Sequence, residues 1–428
     1  MGGLRTDEAR AVVAALLQAM GDYSVDNRGD VGSWVREAAM DGAVKVCAML
    51  GKSGKDVLTP ELVAGVVGML VQNASEKMDR VQPRPMQNAS EKMDRVRAAA
   101  GVALTALLRA DVPHVPERAL LEKVVLGAKV AAGEKVAGSA KVAAPGAEGG
   151  VGVSAEEGAG GGEVDWAAPS VAFPRMAVLL EKDCFRASVL AGLVISIGGL
   201  SESVVRHSWA SVQKLFRDTP RPEELSALLA RQLIALLASS AAQDRVMIPA
   251  FKTAHLLLSN GCFDALDPSR PEEGGGSPLP IALLLLVQAE LRGCKDVVKL
   301  ESGASVIAAL LQYDAPSVRE PCLQTLLALL CHRFPKVRRR AGEELYMQVL
   351  THPGIVPETE GESGEEVVTL LSETDWSDEV GARGRPGGPS HHRPCAHRAA
   401  EQGLAWRWDV QGSRQGDALL VKSRLRVA

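Results

Sequence analysis

Aromatic residues and paired cysteines are scarce in this sequence. Phe, Trp and Tyr make up 4% of the 428 residues, whereas apolar residues as a whole make up 46%. The apolar content is therefore mostly Ala, Val and Leu, which favours stacked helices over a β-sandwich. The seven cysteines are scattered singly, without a Cys-x-x-Cys pair. That distribution is typical of reduced intracellular thiols and argues against a disulfide framework.

Long apolar runs and a strong net charge are also missing. The longest apolar run, residues 187–200, has two polar interruptions and is too short to span a bilayer. The N-terminus is too polar for a signal peptide. Residues 381–428 carry nine Lys or Arg against three Asp or Glu, so the rest of a chain with net charge −4 is acidic. The sequence therefore predicts neither nucleic-acid binding nor stable membrane insertion.

Apolar residues recur at helical spacing over residues 1–126 and 164–376. In the segment TPELVAGVVGMLVQNA, Thr59 is a predicted N-cap and Pro60 occupies the first helical position. The wide apolar face of this segment implies neighbouring helices on two sides. Both stretches are thus predicted to be helical repeats.

Two other stretches lack the bulky residues that a packed core requires. Residues 127–163 repeat a Lys-Val-Ala pattern and then become rich in Gly and Ala, which predicts a flexible linker. Residues 377–428 are rich in Gly, Pro, Arg and His without a helical period. We expect them to form a disordered basic tail.

A Val-Arg pair followed by a small residue recurs along the helical stretches. The pattern predicts that Val points into the core between helices and that the small residue one turn later lets the next helix approach. Arg is expected at the rim, where it bonds to an acidic or carbonyl group of the adjoining unit. The pairs begin at Val35, Val96, Val205, Val318 and Val337.

A duplication disturbs the spacing of these pairs. Residues 72–81 return unchanged as residues 87–96, and 61 residues separate Val35 from Val96. Without one fifteen-residue copy the interval is 46 residues, within the range of about 40–47 that HEAT-type repeats show. The sequence therefore predicts an all-α, HEAT/armadillo-like solenoid with an insertion at about residues 82–96.

Motifs for catalysis or metal binding are incomplete. The segment LGKSGK at residues 50–55 has Val46 where a phosphate-binding loop needs glycine, so a charged loop between helices is the favoured interpretation. His391, His392, Cys395 and His397 have metal-binding side chains, but the tail offers no scaffold to position them. The sequence predicts no cofactor, no metal and no catalytic residue.

Two clusters are candidate contacts to a partner protein. The cluster at Arg338 to Arg340 is interpreted either as a solvated helix face or as a contact to an acidic surface. The other cluster lies between Arg28 and Arg36. Within it, the favoured interpretation of Asp30 is that it ends a turn between two helices. The candidate residues are Arg28, Asp30, Trp34, Arg36, Arg338, Arg339 and Arg340.

Several long segments resemble the C-terminal part of the tubulin folding cofactor D family. The resemblance covers roughly residues 1–126 and 164–376, as in a truncated or variant form. It departs from the family in the duplication, the linker and the residues after Trp376. The segments include DYSVDNRGDVGSWVREAAM, NASEKMDRVRA, APSVAFPR, LAGLVISIGGLSESVVRHS, CHRFPKVRRRAGEELY and VVTLLSETDW.

The resemblance implies a HEAT-like chaperone scaffold that binds β-tubulin. It further implies joint action with tubulin-folding cofactors C and E and an Arf-like small GTPase. Together these would assemble or dismantle the αβ-tubulin heterodimer and stimulate GTP hydrolysis by tubulin, without an active site in this chain. A cytoplasmic location with cytoskeletal, centrosomal or cell-junction association is expected. The residues alone support only the alternative, a generic helical-repeat adaptor.

Overall fold

A computed structural model shows an all-α chain. It describes residues 6–26, 29–52, 57–76, 89–110, 112–127, 164–269, 278–356 and 364–376. These residues form 15 α-helices, four 3-10 helices and one two-stranded hairpin. The predicted all-α helical-repeat solenoid is confirmed. The predicted tail, nearly all of the linker and part of the duplication lie outside the described residues.

The chain divides into two compact units, Met1–Ala74 with Gln82–Val178, and Ser75–Val81 with Leu179–Ala428. The helices of the first are α1 (Thr6–Ala19), α2 (Gly32–Lys52), α3 (Pro60–Ser75), α4 (Ala89–Arg109), α5 (Arg118–Leu126) and α6 (Pro169–Ala177). The helices of the second are α7 (Asp183–Ile197), α8 (Glu202–Asp218), α9 (Pro222–Ser239), α10 (Asp244–Ser259), α11 (Leu279–Leu291), α12 (Val297–Ala309), α13 (Pro316–Leu330), α14 (Pro335–Thr351) and α15 (Gly364–Glu373). The 3-10 helices are Val178–Glu181, Asp264–Leu266, Leu310–Gln312 and Pro353–Ile355.

In the first unit, α2 packs against both α1 and α4, and α5 packs against α4 and α6. The chain turns from α1 into α2 through an antiparallel hairpin of β1 (Val25–Asp26) and β2 (Gly29–Asp30). α4 begins inside the second copy of the duplication and continues through Val96. That the duplicated residues are an insertion stays a prediction.

The second unit has two layers of helices. α9, α11 and α13 are neighbours in one layer, and α7, α10, α12 and α14 are neighbours in the other. Successive helices pair across the layers as α9 with α10, α11 with α12, and α13 with α14. This alternation is the arrangement of stacked helical hairpins, in which each repeat contacts its neighbours.

Helix starts follow the capping chemistry of the sequence. Thr59 Oγ1 accepts a hydrogen bond from Leu62 N at 3.3 Å, so the predicted N-cap is confirmed. Asp296 caps α12 in the same way through Lys299 N at 2.9 Å. Proline, which has no N–H to leave unpaired, stands in the first turn of several helices, including α3. These prolines are Pro60, Pro169, Pro222, Pro280, Pro316 and Pro335.

Helix α12 is buried on nearly every side. Its small residues, among them Ser302, Gly303 and Ala304, let α10, α11, α13 and α14 surround it. The cation of this helix, Lys299, donates to Asp244 Oδ1 at 2.8 Å and to Glu290 Oε2 at 2.5 Å. Its burial opposes the charged form, but the bonds and charges of the two carboxylates outweigh this and raise the pKa of Lys299.

The arginines of three Val-Arg pairs take a different position from the one predicted, whereas Arg206 is exposed as expected. Val96, Val318 and Val337 are buried, but Val35 is 41% exposed. The arginines that follow at 36, 97 and 338 are buried and not at the rim. The guanidinium groups lie inside because turns of the backbone leave carbonyl groups there that require donors. The small residues Ala39, Ala100, Cys322 and Ala341 are buried as expected.

Arg97 and Trp166 join the two sides of the linker within the first unit. Arg97 Nε donates to Trp166 O at 3.0 Å, and Arg97 Nη2 donates to Ala167 O. A Cβ atom at Gly101 would overlap the Trp166 indole ring, which lies directly on the helix. We call Arg97 and Gly101 the Trp166 socket. Because of this contact the first compact unit extends beyond the linker, to Val178.

We predict that the two sides of the linker remain associated after the linker is cut. A specific protease site placed after residue 146 would produce fragments 1–146 and 147–428. They should co-elute in gel filtration because the Trp166 socket and the bond from Arg175 to Val124 O at 2.8 Å join them. Trp166→Ala should weaken the association by about 3–5 kcal/mol, the usual cost of truncating a buried large aromatic.

Trp34→Ala is the matched control, because Trp34 is 49% exposed. It should leave the association unchanged. Separation of the unmutated fragments after cleavage would contradict the prediction.

We predict that Lys299→Met destabilises the chain by about 3–5 kcal/mol, because Glu290, whose side chain is 13% exposed, then loses its buried partner. Lys295→Met, at an exposed site of the neighbouring turn, should change stability by less than about 0.5 kcal/mol. Chemical denaturation measures both.

The raised pKa of Lys299 fixes the sign of its pH dependence. The contribution of Lys299 to folding stability is complete below its unfolded-state pKa of about 10.4. It is lost as the pH rises through the pKa of Lys299 in the folded state. The difference in the free energy of unfolding between wild type and Lys299→Met should therefore become smaller above about pH 10.5. A gap that widens there would refute the assignment.

Candidate functional site

The turn between α1 and α2 holds the first candidate cluster. Arg36 Nη2 donates to Asp30 Oδ2 at 2.7 Å, and Arg36 Nη1 donates to Asp22 O at 2.6 Å. The guanidinium also lies 4.5 Å from the ring centre of Tyr23. Asp30 Oδ1 accepts a bond from Ser33 N at 3.0 Å, so it closes the turn into α2.

These contacts use Asp30 and Arg36 inside the fold. Their side chains are 13% and 3% exposed, respectively. Trp34 remains the candidate of this cluster with a large exposed surface. Arg28 lies outside the described residues. A partner contact at this turn stays a prediction.

The second cluster lies on α14, where three consecutive arginines have three different environments. Arg338 is 1% exposed and donates to Trp376 O at 3.1 Å, to His332 O at 2.8 Å and to Arg333 O at 3.3 Å. Arg339 is 64% exposed and 3.4 Å from Glu343. Consecutive helical residues point about 100° apart, so one helix places these neighbours on different faces.

Arg340 joins a cluster of polar side chains that connects α10, α12 and α14. Arg340 Nη2 lies 2.7 Å from Glu344 Oε1, and Arg340 Nε donates to Ser305 Oγ of α12 at 3.0 Å. His255 of α10 lies 3.8 Å from the same Glu344 oxygen. Burial lowers the pKa of His255, and the nearby Arg340 also opposes its charge, although Glu344 favours it.

An exposed face of α14 combines positive charge with apolar side chains. We call Lys336, Arg339, Met347 and Leu350 the α14 ridge. Met347 and Leu350 are 55% and 49% exposed, and Lys336 and Arg339 are exposed one or more turns earlier. Spacings of three and eleven residues, close to one and three helical turns, place them on one side of the helix. Such a mixture of cations and apolar groups is suited to contact with another protein.

Reactive groups are not assembled on this surface. In the described part of the chain, no group of three or more His, Cys, Asp or Glu side chains is placed to hold a metal ion. Burial raises the pKa of the Cys47 and Cys262 thiols to about 11, so both stay protonated at neutral pH. No helix in the described ranges is long and apolar enough to cross a membrane.

Sequence reasoning missed the sites that Trp166 and Trp376 occupy. Each tryptophan lies on a glycine four residues after a buried arginine. The signal was present in the sequence, because Val-Arg-x-x-x-Gly occurs at Val96 and Val337 and Asp-Trp occurs at Asp165 and Asp375. Neither short pattern indicates by itself that the two meet in space.

Comparison with known proteins agrees with the helical-repeat architecture. The family model described as "Tubulin folding cofactor D C terminal" matches residues 85–299. Tubulin-specific chaperone D of Dictyostelium discoideum is 23% identical over 389 residues, which cover 85% of this chain and 23% of that protein. Tubulin-folding cofactor D of Schizosaccharomyces pombe is 32% identical over 78 residues, which cover 18% of this chain and 7% of that protein.

The chain thus spans about a quarter of the length of the Dictyostelium protein. The family model covers half of the chain and includes α4, the Trp166 socket and the helices up to the start of α12. The chain belongs to the tubulin folding cofactor D family.

Proposed function

We propose that this chain is a tubulin-folding chaperone scaffold that binds β-tubulin. Membership of the tubulin folding cofactor D family is the observation that carries this proposal. The relatives named as tubulin chaperones support the same class of function. A protein built from stacked helical hairpins binds through an extended surface and needs no catalytic group of its own.

The partner reactions belong to the same proposal. In it the chain works with tubulin-folding cofactors C and E and an Arf-like small GTPase. The assembly builds or dismantles the αβ-tubulin heterodimer and promotes GTP hydrolysis by tubulin. The chain contributes contacts to tubulin, and the hydrolysing site lies outside the chain. A cytoplasmic location with cytoskeletal association follows from this role.

The α14 ridge is the surface proposed for the tubulin contact. Its exposed cations, Lys336 and Arg339, provide attraction to an acidic partner. Its exposed Met347 and Leu350 provide apolar area that would be buried on binding. The proposal therefore assigns binding to the outer residues of α14, while Arg338 holds the helix in place.

We predict that Lys336→Glu/Arg339→Glu weakens capture of purified tubulin by the immobilised chain roughly tenfold or more, because it reverses two exposed charges. The matched control is Lys214→Glu/Arg217→Glu, which reverses two exposed charges at the same spacing on α8. The control should bind tubulin as the wild type does. Circular dichroism should show that both variants remain helical.

Absence of tubulin binding by the unmutated chain would refute the chaperone proposal. Equal loss of binding in the two charge-reversed variants would mean that general charge governs binding. Unchanged binding by both variants would move the contact away from the α14 ridge and leave the family assignment intact.

A further inference from the structure

A contact among a buried arginine, a glycine and a tryptophan occurs in each compact unit. In the second unit, Arg338 Nε donates to Trp376 O at 3.1 Å. A Cβ atom at Gly342 would lie 2.7 Å from Trp376 Nε1, so the indole ring rests on this glycine. We call Arg338 and Gly342 the Trp376 socket. It repeats the Trp166 socket in chemistry and in the four-residue spacing from arginine to glycine.

The two bound segments share the pattern Glu-x-Asp-Trp and differ in the residues around it. Trp166 follows Asp165 within GEVDWAAP, and Trp376 follows Asp375 within SETDWSDE. Asp165 Oδ1 accepts a bond from Ala167 N at 3.0 Å, which turns the backbone around the tryptophan. In both sites the tryptophan ring lies on the glycine and the tryptophan carbonyl accepts a buried bond from the arginine, so the two sockets accommodate the same Asp-Trp segment.

The two tryptophans are not held equally firmly by the residues around them. Trp166 continues into α6, which buries Ala172, Phe173, Met176 and Ala177. By contrast, residues 364–376, which we call the C-terminal arm, bury Leu371 and Trp376 among their described side chains. Segments with few buried apolar side chains open at low free-energy cost. Of the two sockets, the Trp376 socket therefore has the occupant that is held by fewer buried apolar side chains.

We propose that the Trp376 socket is a peptide-binding site for a short helix followed by Asp-Trp, and that the C-terminal arm of a second copy of this chain occupies it in exchange. The second copy's arm has the same sequence, so it makes the same contacts with Arg338 and Gly342. The chain's own arm competes at an effective concentration of about millimolar. Exchange should therefore increase with protein concentration.

The direct test uses the full chain and a fluorescent peptide of residues 364–376. Trp376→Ala empties the socket, so this variant should bind the peptide at least tenfold more tightly than the wild type. The double variant Trp376→Ala/Gly342→Leu fills the socket with a side chain and should lose binding. A peptide with alanine in place of its tryptophan is the matched control and should not bind. Fluorescence anisotropy measures each case.

Two results would overturn the binding site. One is equal peptide binding by Trp376→Ala and by the double variant. The other is no binding to a helical Trp376→Ala chain at about 1 mM peptide, the scale of the competing arm.

The wild-type chain tests the second-copy occupant without any mutation. Two differently tagged copies, mixed at high concentration and incubated, should co-purify. Excess peptide 364–376 should separate them, whereas the alanine peptide should not. Failure to co-purify, or co-purification that the peptide leaves unchanged, refutes the exchange. This test contains no tubulin, so its outcome is independent of the proposed chaperone function.

Discussion

Buried cations that bind backbone carbonyls hold the helices and turns of this chain together. A turn between helices leaves carbonyl groups without helical partners, and a buried carbonyl requires a donor. Arginine is suited to this position because its planar guanidinium carries five donors. The arginines that donate to carbonyls of turns or helix ends include Arg36, Arg97, Arg118, Arg175, Arg186, Arg319 and Arg338. Lys299 has the corresponding role with two carboxylates, Asp244 and Glu290.

The close approach of the helices follows from small residues beside these cations. A guanidinium bonds to a turn only if that turn lies against the helix, and a side chain at Gly101 or Gly342 would prevent this. The indole ring that lies on each glycine is itself buried and packs against the helix beside the hydrogen bond. In α12 the same principle extends around most of the helix, because Ser, Gly and Ala admit neighbours on nearly every side. The hydrogen bonds from the buried arginines and the close packing at the glycines therefore depend on each other. The bond requires the turn to lie close to the helix, and the bond in turn holds the turn there.

The α14 ridge, the surface proposed for partner binding, consists of side chains that are not buried inside the fold. Arg36 and Arg338 are occupied by their own chain, whereas Arg339 and Lys336 face outward. A cluster that is continuous in sequence is therefore divided by the helix into a structural residue and binding candidates. The exposed Met347 and Leu350 continue the outward face and add apolar area. This division explains how one helix can both stabilise the repeat and present a contact.

The sequence by itself determined the helices and the class of fold. The signals that predict these helices are local: the spacing of apolar residues, the prolines in first turns and the cap at Thr59. Each acts over a few residues, so the sequence alone reveals it. The family resemblance was also visible, because long collinear segments carry it. Only the tertiary structure decided that Arg36, Arg97 and Arg338 are buried. It alone also decided that Arg97 bonds to Trp166 on the other side of the linker. Burial of a charge depends on which distant carbonyls lie near it, and that proximity exists only once the helices have packed.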